Sequence, residues 1–253
     1  TCVAPKRVFV EASVHDAFVS ALGEVVRALH VGPGASPGTD VGAVIRPEAV
    51  VTLDAQRDDA LARGAAVAAH ATNRALANDG GRFFEPTVLV NVPADARVLR
   101  EETFGPLLPV VKVRDADEAV ALANASEFGL AASIWSRDTA RAAQLAGRIE
   151  AGAVCINDSI VAAGMCDVPH GGVKLSGMGR THGMAGLEEC VRTKAIVVDR
   201  FASWRQAWWF GYSARSAAGI DAYVRLAHAP HLLERLGAIP GFLKFLFAPG
   251  RPL

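Results

Sequence analysis

The 253-residue sequence is short of several things that would have settled its class at once. It has no net charge, with 26 Lys and Arg against 26 Asp and Glu, which argues against a dedicated nucleic-acid binder. No run approaches the ~18 consecutive apolar residues of a membrane span. The four cysteines, Cys2, Cys155, Cys166 and Cys190, form no C-x-x-C pair and no zinc-ligand pattern, so no metal is expected, and reduced thiols in a cytoplasmic protein are the simplest account. Internal repeats and low-complexity segments are missing too. A dinucleotide fingerprint fails: Gly177-Met178-Gly179 starts like G-x-G-x-x-G but meets His182 where the third glycine belongs. No βαβ unit frames it either.

What is present is an ordinary globular composition, 51% hydrophobic and 21% charged, with enough chain for one large domain or two small ones. Apolar residues at Val14, Ala17, Phe18, Ala21, Leu22, Val25 and Leu29 recur at helical spacing, so Ser13 to His30 reads as a helix. Ser13 is its expected cap, with Asp16 completing a capping-box variant. A second helix opens near Pro47 and ends before Gly64. Strands are expected at 65–70, 83–92, 107–113, 128–135, 153–157 and 194–199, and further helices at 115–124, 138–150 and 181–192. Residues 71–82 read as loop. Alternating strands and helices of these lengths predict an α/β fold with a mostly parallel sheet flanked by helices.

Residues 159–180, SIVAAGMCDVPHGGVKLSGMGR, stand apart as a long glycine-rich loop. Such loops inside compact α/β domains are usually functional. Residues 201–253 change character again, with Trp204, Trp208, Trp209, Phe210 and Tyr212 crowded together. Arg205, Arg215, Arg225, Arg235, Lys244 and Arg251 there outnumber Asp221 and Glu234. This basic, aromatic extension reads as an irregular or helical appendage. Packing on its own subunit or a partner is preferred over a peripheral membrane contact.

Cys2 is the cysteine outside an apolar or helical context, and Lys6 and Arg7 follow closely. A thiol attacks as its thiolate and needs nearby cations or N–H donors to ionise near neutrality. A reduced structural cysteine at a strand edge is the plainer alternative.

Four motifs in order, TCVAPKRVFV, EETFGP, FGLAASIWSRD…EAGAVCIND and PHGGVKLSGMGR, resemble the C-terminal, catalytic half of the NAD(P)-dependent aldehyde dehydrogenase superfamily, from Thr1 to about Arg200. The resemblance implies an aldehyde dehydrogenase-like catalytic domain over 1–193, an oligomerisation strand over 194–200 and an added tail over 201–253. It makes Cys2 the catalytic nucleophile, which attacks a small-molecule aldehyde and passes through a thiohemiacetal and a thioester. Glu102 matches the carboxylate that binds the nicotinamide ribose, and Phe104 the aromatic beside the nicotinamide, so NAD or NADP is the implied cofactor. Asn157 matches an asparagine near the site, taken first as structural support. His170 stands where the family commonly has Phe or another large apolar residue. It either meets a polar or anionic substrate or is a packed imidazole, and the packed imidazole is the default.

Lys174 and Arg180 are candidate anchors for a carboxylated substrate, though loop structure is the expected use of both. The family's cofactor domain, oxyanion asparagine, general-base glutamate and adenosine-ribose lysine precede the cysteine and are not among these residues. A piece of a protein roughly twice as long is therefore expected, inactive alone and a homodimer or homotetramer when whole. Two other readings stay open: a non-catalytic scaffold remnant, and a cysteine hydrolase pairing Cys2 with His170 or His182.

Overall fold

The computed structural model describes residues 1–71, 73–74, 81–198, 200 and 213–246. Two compact units divide the chain, Thr1–Arg192 and Thr193–Leu253. The first unit begins with β1 (Val8–Glu11), α1 (His15–Ala28), β2 (His30–Val31), α2 (Pro47–Ala62), β3 (Ala66–His70), β4 (Asn73–Arg74) and β5 (Thr87–Val90). It continues with α3 (Arg97–Arg100), β6 (Leu107–Val113), α4 (Ala116–Asn124), β7 (Phe128–Gly129), β8 (Ala131–Ile134) and α5 (Thr139–Ala146). It closes with β9 (Ala153–Ile156), α6 (Val161–Gly164), β10 (Val173–Lys174) and α7 (Gly183–Glu189).

Its main sheet runs in the order β1-β6-β5-β3. β1 and β6 pair in parallel with Val8 beside Val110, and β5 and β6 in parallel with Thr87 beside Leu107. β3 is antiparallel to β5, with a register shift between Val67 and Ala69. The sheet is thus mixed but mostly parallel, as expected, with β3 its antiparallel member. The period-2 alternation of a strand sorts its residues to two faces. On one face Val10, Val88 and Val110 pack with Ala69 and with Val26 of α1. On the other, Leu89 and Leu107 pack with Leu53 and Ala60 of α2 and Val98 of α3. Helices thus cover both faces of the sheet.

Several local expectations are revised. The α1 cap is Val14 without a side-chain bond; Asp16 instead engages His15 Nδ1 at 2.7 Å and Lys112 Nζ at 3.3 Å. The inward face of α1 carries His15, Gly23 and Val26, with Val19, Leu22 and Leu29 against the sheet, so Val14, Phe18 and Val25 are exposed. The strand expected over 128–135 breaks at Leu130: β7 turns to β10 and β8 pairs in parallel with β9. α5 is shorter than 138–150, capped by Asp138 accepting from the Arg141 N–H at 2.9 Å. α7 ends at Glu189 rather than Arg192, and the 159–180 loop contains α6 and β10. In the loop expected over 71–82, β4 pairs with β2; residues 72 and 75–80 lie outside the described residues.

In the second unit, residues 194–198 are in no strand and expose Ile196, Val197 and Val198. The expected strand thus lacks a partner among the described residues, and its last residue, 199, lies outside them. Helices α8 (Ala214–His228) and α9 (Leu232–Leu246) follow. Ser213 caps α8 in a full capping box with Ser216. The two helices form a hairpin, with Tyr223 and Phe242 at a ring separation of 5.6 Å. The aromatic cluster from Trp204 to Tyr212 lies outside the described residues.

Gly152, just before β9, tests this packing most sharply. A Cβ there would strike the Gly171 carbonyl and come within 3.0 Å of the Gly172 Cα, both backbone. Gly152→Ala is expected to cost about 1–3 kcal/mol, as overpacking typically does. In thermal denaturation that is a fall of at least about 3 °C. Gly34→Ala, with open space around the new methyl, should leave the melting temperature unchanged.

Candidate active site

The residues before β1 form a short looped segment. Ala4 N–H donates to the Thr1 carbonyl at 3.3 Å, and Lys6 Nζ donates to the same oxygen at 3.2 Å. Arg7 is tied elsewhere: its Nη1 donates to the Leu99 carbonyl at 3.0 Å, fixing the loop to the end of α3. Cys2 is left exposed. Of the two cations near the thiol in sequence, Lys6 is the one held within the Cys2 loop, by its bond to the Thr1 carbonyl. Burial draws the Lys6 pKa down, while the charges of Glu102 and Cys2 oppose that shift. Lys6 Nζ also sits 4.6 Å from the centroid of the Phe104 ring, a cation–π distance. This one ammonium links the Cys2 loop to the Glu102–Phe104 turn.

That turn is held from beneath by Gln56 of α2, which is fully buried. Its Nε2 donates to the Glu102 carbonyl at 3.2 Å and to Glu101 Oε2 at 3.3 Å. Its Oε1 accepts from Thr103 Oγ1 at 2.8 Å. Glu101 is also gripped by Arg97 through two bonds of 2.7 and 3.0 Å. The Arg97 bonds lead the causes that hold its carboxyl below the ordinary range. Of the two adjacent carboxylates, Glu101 therefore serves the scaffold and Glu102 points to solvent. Gly105 is required where it is because a Cβ would run into the Leu53 side chain. Phe104, 52% exposed, is left with an open ring.

A shallow, closely packed depression lies against the nucleophile loop. Val3 lines it with Ala131 and Ala153 of the β8–β9 pair, Cys155, Ile160 and His170. His170 exchanges two 2.7 Å backbone bonds with Thr181, and its ring lies 6.0 Å from that of His182. Among the described residues, neither imidazole Nδ1 has a partner. His182 also has φ of 65° and ψ of 162°, a region otherwise kept by glycine. Nothing in sequence spacing pointed to His182 as a ring partner of His170.

Asn157 ends β9 with φ of 57°. Its Oδ1 accepts from the Ser136 N–H at 2.9 Å and its Nδ2 donates to the Ser136 carbonyl at 3.0 Å. The amide closes the ends of the β8–β9 pair. Lys174 Nζ donates to the Asn124 and Ser126 carbonyls and pairs with Glu150 at 2.6 Å. Arg180 Nη1 donates to the Gly172, Met178 and Gly179 carbonyls. Both cations weighed as substrate anchors are thus spent on loop structure. Sequence reasoning missed Gln56 and Thr103, because a Gln within a helix and a Thr within a turn carry no signal until their bonds are seen.

Two measurements check this frame. Gln56→Leu strands the Thr103 hydroxyl and the Glu102 carbonyl, and is expected to cost about 1–3 kcal/mol in urea denaturation. Adding Thr103→Val should recover part of that loss. Glu101 has its pKa depressed on folding, so its contribution is present above the unfolded value of about 4.3 and is lost as pH falls through the folded one. The stability gap between the parent and Glu101→Gln should be open at pH 7 and close toward pH 3.

The sequence profile of the aldehyde dehydrogenase family matches residues 1–196. The chain is 41% identical over 197 residues to the mitochondrial succinate-semialdehyde dehydrogenase of Mus musculus, covering 78% of this chain and 37% of that protein. It is 40% identical over 196 residues to the glutarate-semialdehyde dehydrogenase of Pseudomonas aeruginosa, covering 78% of this chain and 40% of that protein. Among solved structures, the succinate-semialdehyde dehydrogenase of Burkholderia pseudomallei superposes with a TM-score of 0.69 at 42% identity, over 75% of this chain and 38% of that one. The chain therefore spans about two fifths of the length of the curated relatives it matches. With the cysteine loop, the EETFGP turn and the glycine-rich loop all inside the matched segment, the chain belongs to the aldehyde dehydrogenase family.

Proposed function

We propose that this chain is the nucleophile-bearing half of an NAD(P)-dependent semialdehyde dehydrogenase that oxidises an aldehyde to a carboxylic acid. The observation that carries the reading is the bridging ammonium of Lys6: its Nζ donates to the Thr1 carbonyl beside Cys2 and lies 4.6 Å from the centroid of the Phe104 ring. In this reading residues 1–193 are the catalytic region, 194–200 an oligomerisation strand and 201–253 an extension. The substrate class rests on the named succinate- and glutarate-semialdehyde dehydrogenases.

The residues present suit a nicotinamide dinucleotide. An exposed carboxylate on a rigid turn accepts two hydrogen bonds from a ribose diol. Two places on, the open Phe104 ring offers an apolar face. The bound cofactor supplies the hydride acceptor. On the protein side, in this reading the Cys2 thiolate adds to the aldehyde carbon, and its backbone N–H donates to the developing alkoxide. A donor of that kind typically contributes about 3 kcal/mol. Loss of hydride leaves a Cys2 thioester, and water then releases the acid and restores the thiol. Lys6 is steadied by the Phe104 ring.

Location in the cytoplasm and assembly as a homodimer or homotetramer are part of the proposal. The exposed Ile196-Val197-Val198 run supports strand addition across subunits. The test uses the protein with its natural upstream sequence, succinate semialdehyde or glutarate semialdehyde, and reduced-cofactor absorbance. Cys2→Ser should abolish turnover. Glu102→Gln should raise the KM for the cofactor about tenfold, the effect of losing a charged hydrogen bond, with a smaller effect on the aldehyde. Full turnover by Cys2→Ser would overturn the proposal.

A further inference from the structure

The depression beside the nucleophile loop is an apolar wall that carries two polar side chains. Val3, the neighbour of Cys2, lines it with Ala131, Ala153 and Ile160, and the polar members are Ser159 and His170. Among the described residues no Asp, Glu, Lys or Arg lines it. Ligand sites are commonly of this make, mostly apolar with a few polar groups that fix orientation. Because the depression is shallow, it is a surface for a substrate chain to lie along.

The two polar groups are braced but unused. Among the described residues the Ser159 hydroxyl makes no hydrogen bond. His170 is half-buried, and its Nδ1 is buried with no partner among the described residues. With no acceptor at Nδ1, the ring hydrogen belongs on Nε2, the nitrogen a ligand can reach. The His170 carbonyl accepts from the Thr181 N–H at 2.7 Å and from Thr181 Oγ1 at 3.2 Å, and the His170 N–H donates back to the Thr181 carbonyl at 2.7 Å. Beside it the His182 ring stands 6.0 Å away at a tilt of 34°, within the range of aromatic pairs. His182 reaches that place from a backbone with φ of 65°. Strain of that kind persists only where the surroundings hold it, and it gathers at ligand sites.

The chemistry of the wall selects its ligand. Ser159 can donate or accept, but a hydrogen on His170 Nε2 only donates. A cationic chain end would need an acceptor, and the nearest carboxylate in sequence, Asp158, already accepts from the Ile160 and Val161 N–H groups at 2.8 and 2.7 Å. Lys174 and Arg180 are engaged on loop carbonyls, which leaves His170 as the donor for an anionic end. The molecule that matches has an aldehyde at one end, methylenes in the middle and a carboxylate at the other.

We propose that His170 and Ser159 determine substrate specificity: their two donors take the distal carboxylate of a straight-chain semialdehyde whose aldehyde end meets Cys2. The inference rests on the reading of this chain as the nucleophile-bearing half of a semialdehyde dehydrogenase. The methylenes lie on the apolar wall of Val3, Ala131, Ala153 and Ile160. His182 acts through His170, as the positioning residue behind its ring.

The test compares succinate semialdehyde with butanal, which has the same number of carbons and no carboxylate, on the protein with its natural upstream sequence. The readout is the ratio of the two kcat/KM values. His170→Phe is expected to lower the preference for succinate semialdehyde about tenfold, the effect of losing a hydrogen bond to a charged group. Ser159→Ala should lower it about threefold. His170→Gln, which keeps a donor at this place, should recover part of the preference lost in His170→Phe. A ratio that His170→Phe leaves unchanged overturns the proposal, whether both rates stay high or both fall together, the second result assigning the ring to loop packing. A parent that oxidises both aldehydes equally well also overturns it, while leaving the dehydrogenase reading in place. A parent that oxidises neither overturns that reading and this inference with it.

Discussion

One buried amide carries much of the candidate site. Gln56 has no contact with water, so each of its polar atoms must find a partner within the protein. It finds them in the Glu101 carboxylate, the Glu102 carbonyl and the Thr103 hydroxyl. Those bonds fix the backbone of the EETFGP turn against α2, with Gly105 giving way to Leu53. The turn then sets where Phe104 stands, and Phe104 receives Lys6. The geometry on which catalysis would depend is thus transmitted from a helix core to a surface thiol through side chains that do no chemistry themselves.

The division of labour between adjacent residues follows from the same constraint. Glu101 and Glu102 are chemically alike, but Arg97 and Gln56 claim the first. Among the loop cations, Arg7 is spent on the Leu99 carbonyl and Arg180 on three carbonyls of the glycine-rich loop. Lys6 is the one that joins the Cys2 loop to the Phe104 ring. The His170–His182 pair shows the opposite economy. Among the described residues two imidazole nitrogens stay unpartnered, and one residue holds a backbone conformation suited to glycine.

Much of the fold could be read from the sequence where the signal was local. Pro47 marked the start of α2 and Gly64 its end, because proline fits the first turn and the chain leaves the helix with φ of 102° at Gly64. The apolar run over 107–113 located β6, and α4 and α5 begin within a residue of the expected starts at 115 and 138. Errors came where tertiary partners decide. The inward side of α1 is chosen by what the sheet offers, so His15 is buried while Val14 and Val25 are not. The 128–135 run is split because β7 turns to β10, a partner forty-odd residues away in the loop. The 194–198 segment has the composition of a strand, yet nothing within its own unit pairs with it among the described residues. At the site, Cys2, Glu102 and Phe104 stood out through motif context and Lys6 through its nearness to Cys2, whereas Gln56 and Thr103 became legible only through their bonds.

The central claim is that Cys2 forms a covalent acyl intermediate that depends on hydride removal. The direct measurement is acid quenching of the protein, with its natural upstream sequence, during turnover of succinate semialdehyde, followed by peptide mass mapping. The account predicts a succinyl mass addition on the peptide bearing Cys2, seen only when oxidised NAD or NADP is present. Acylation elsewhere, or at Cys2 without cofactor, would contradict it.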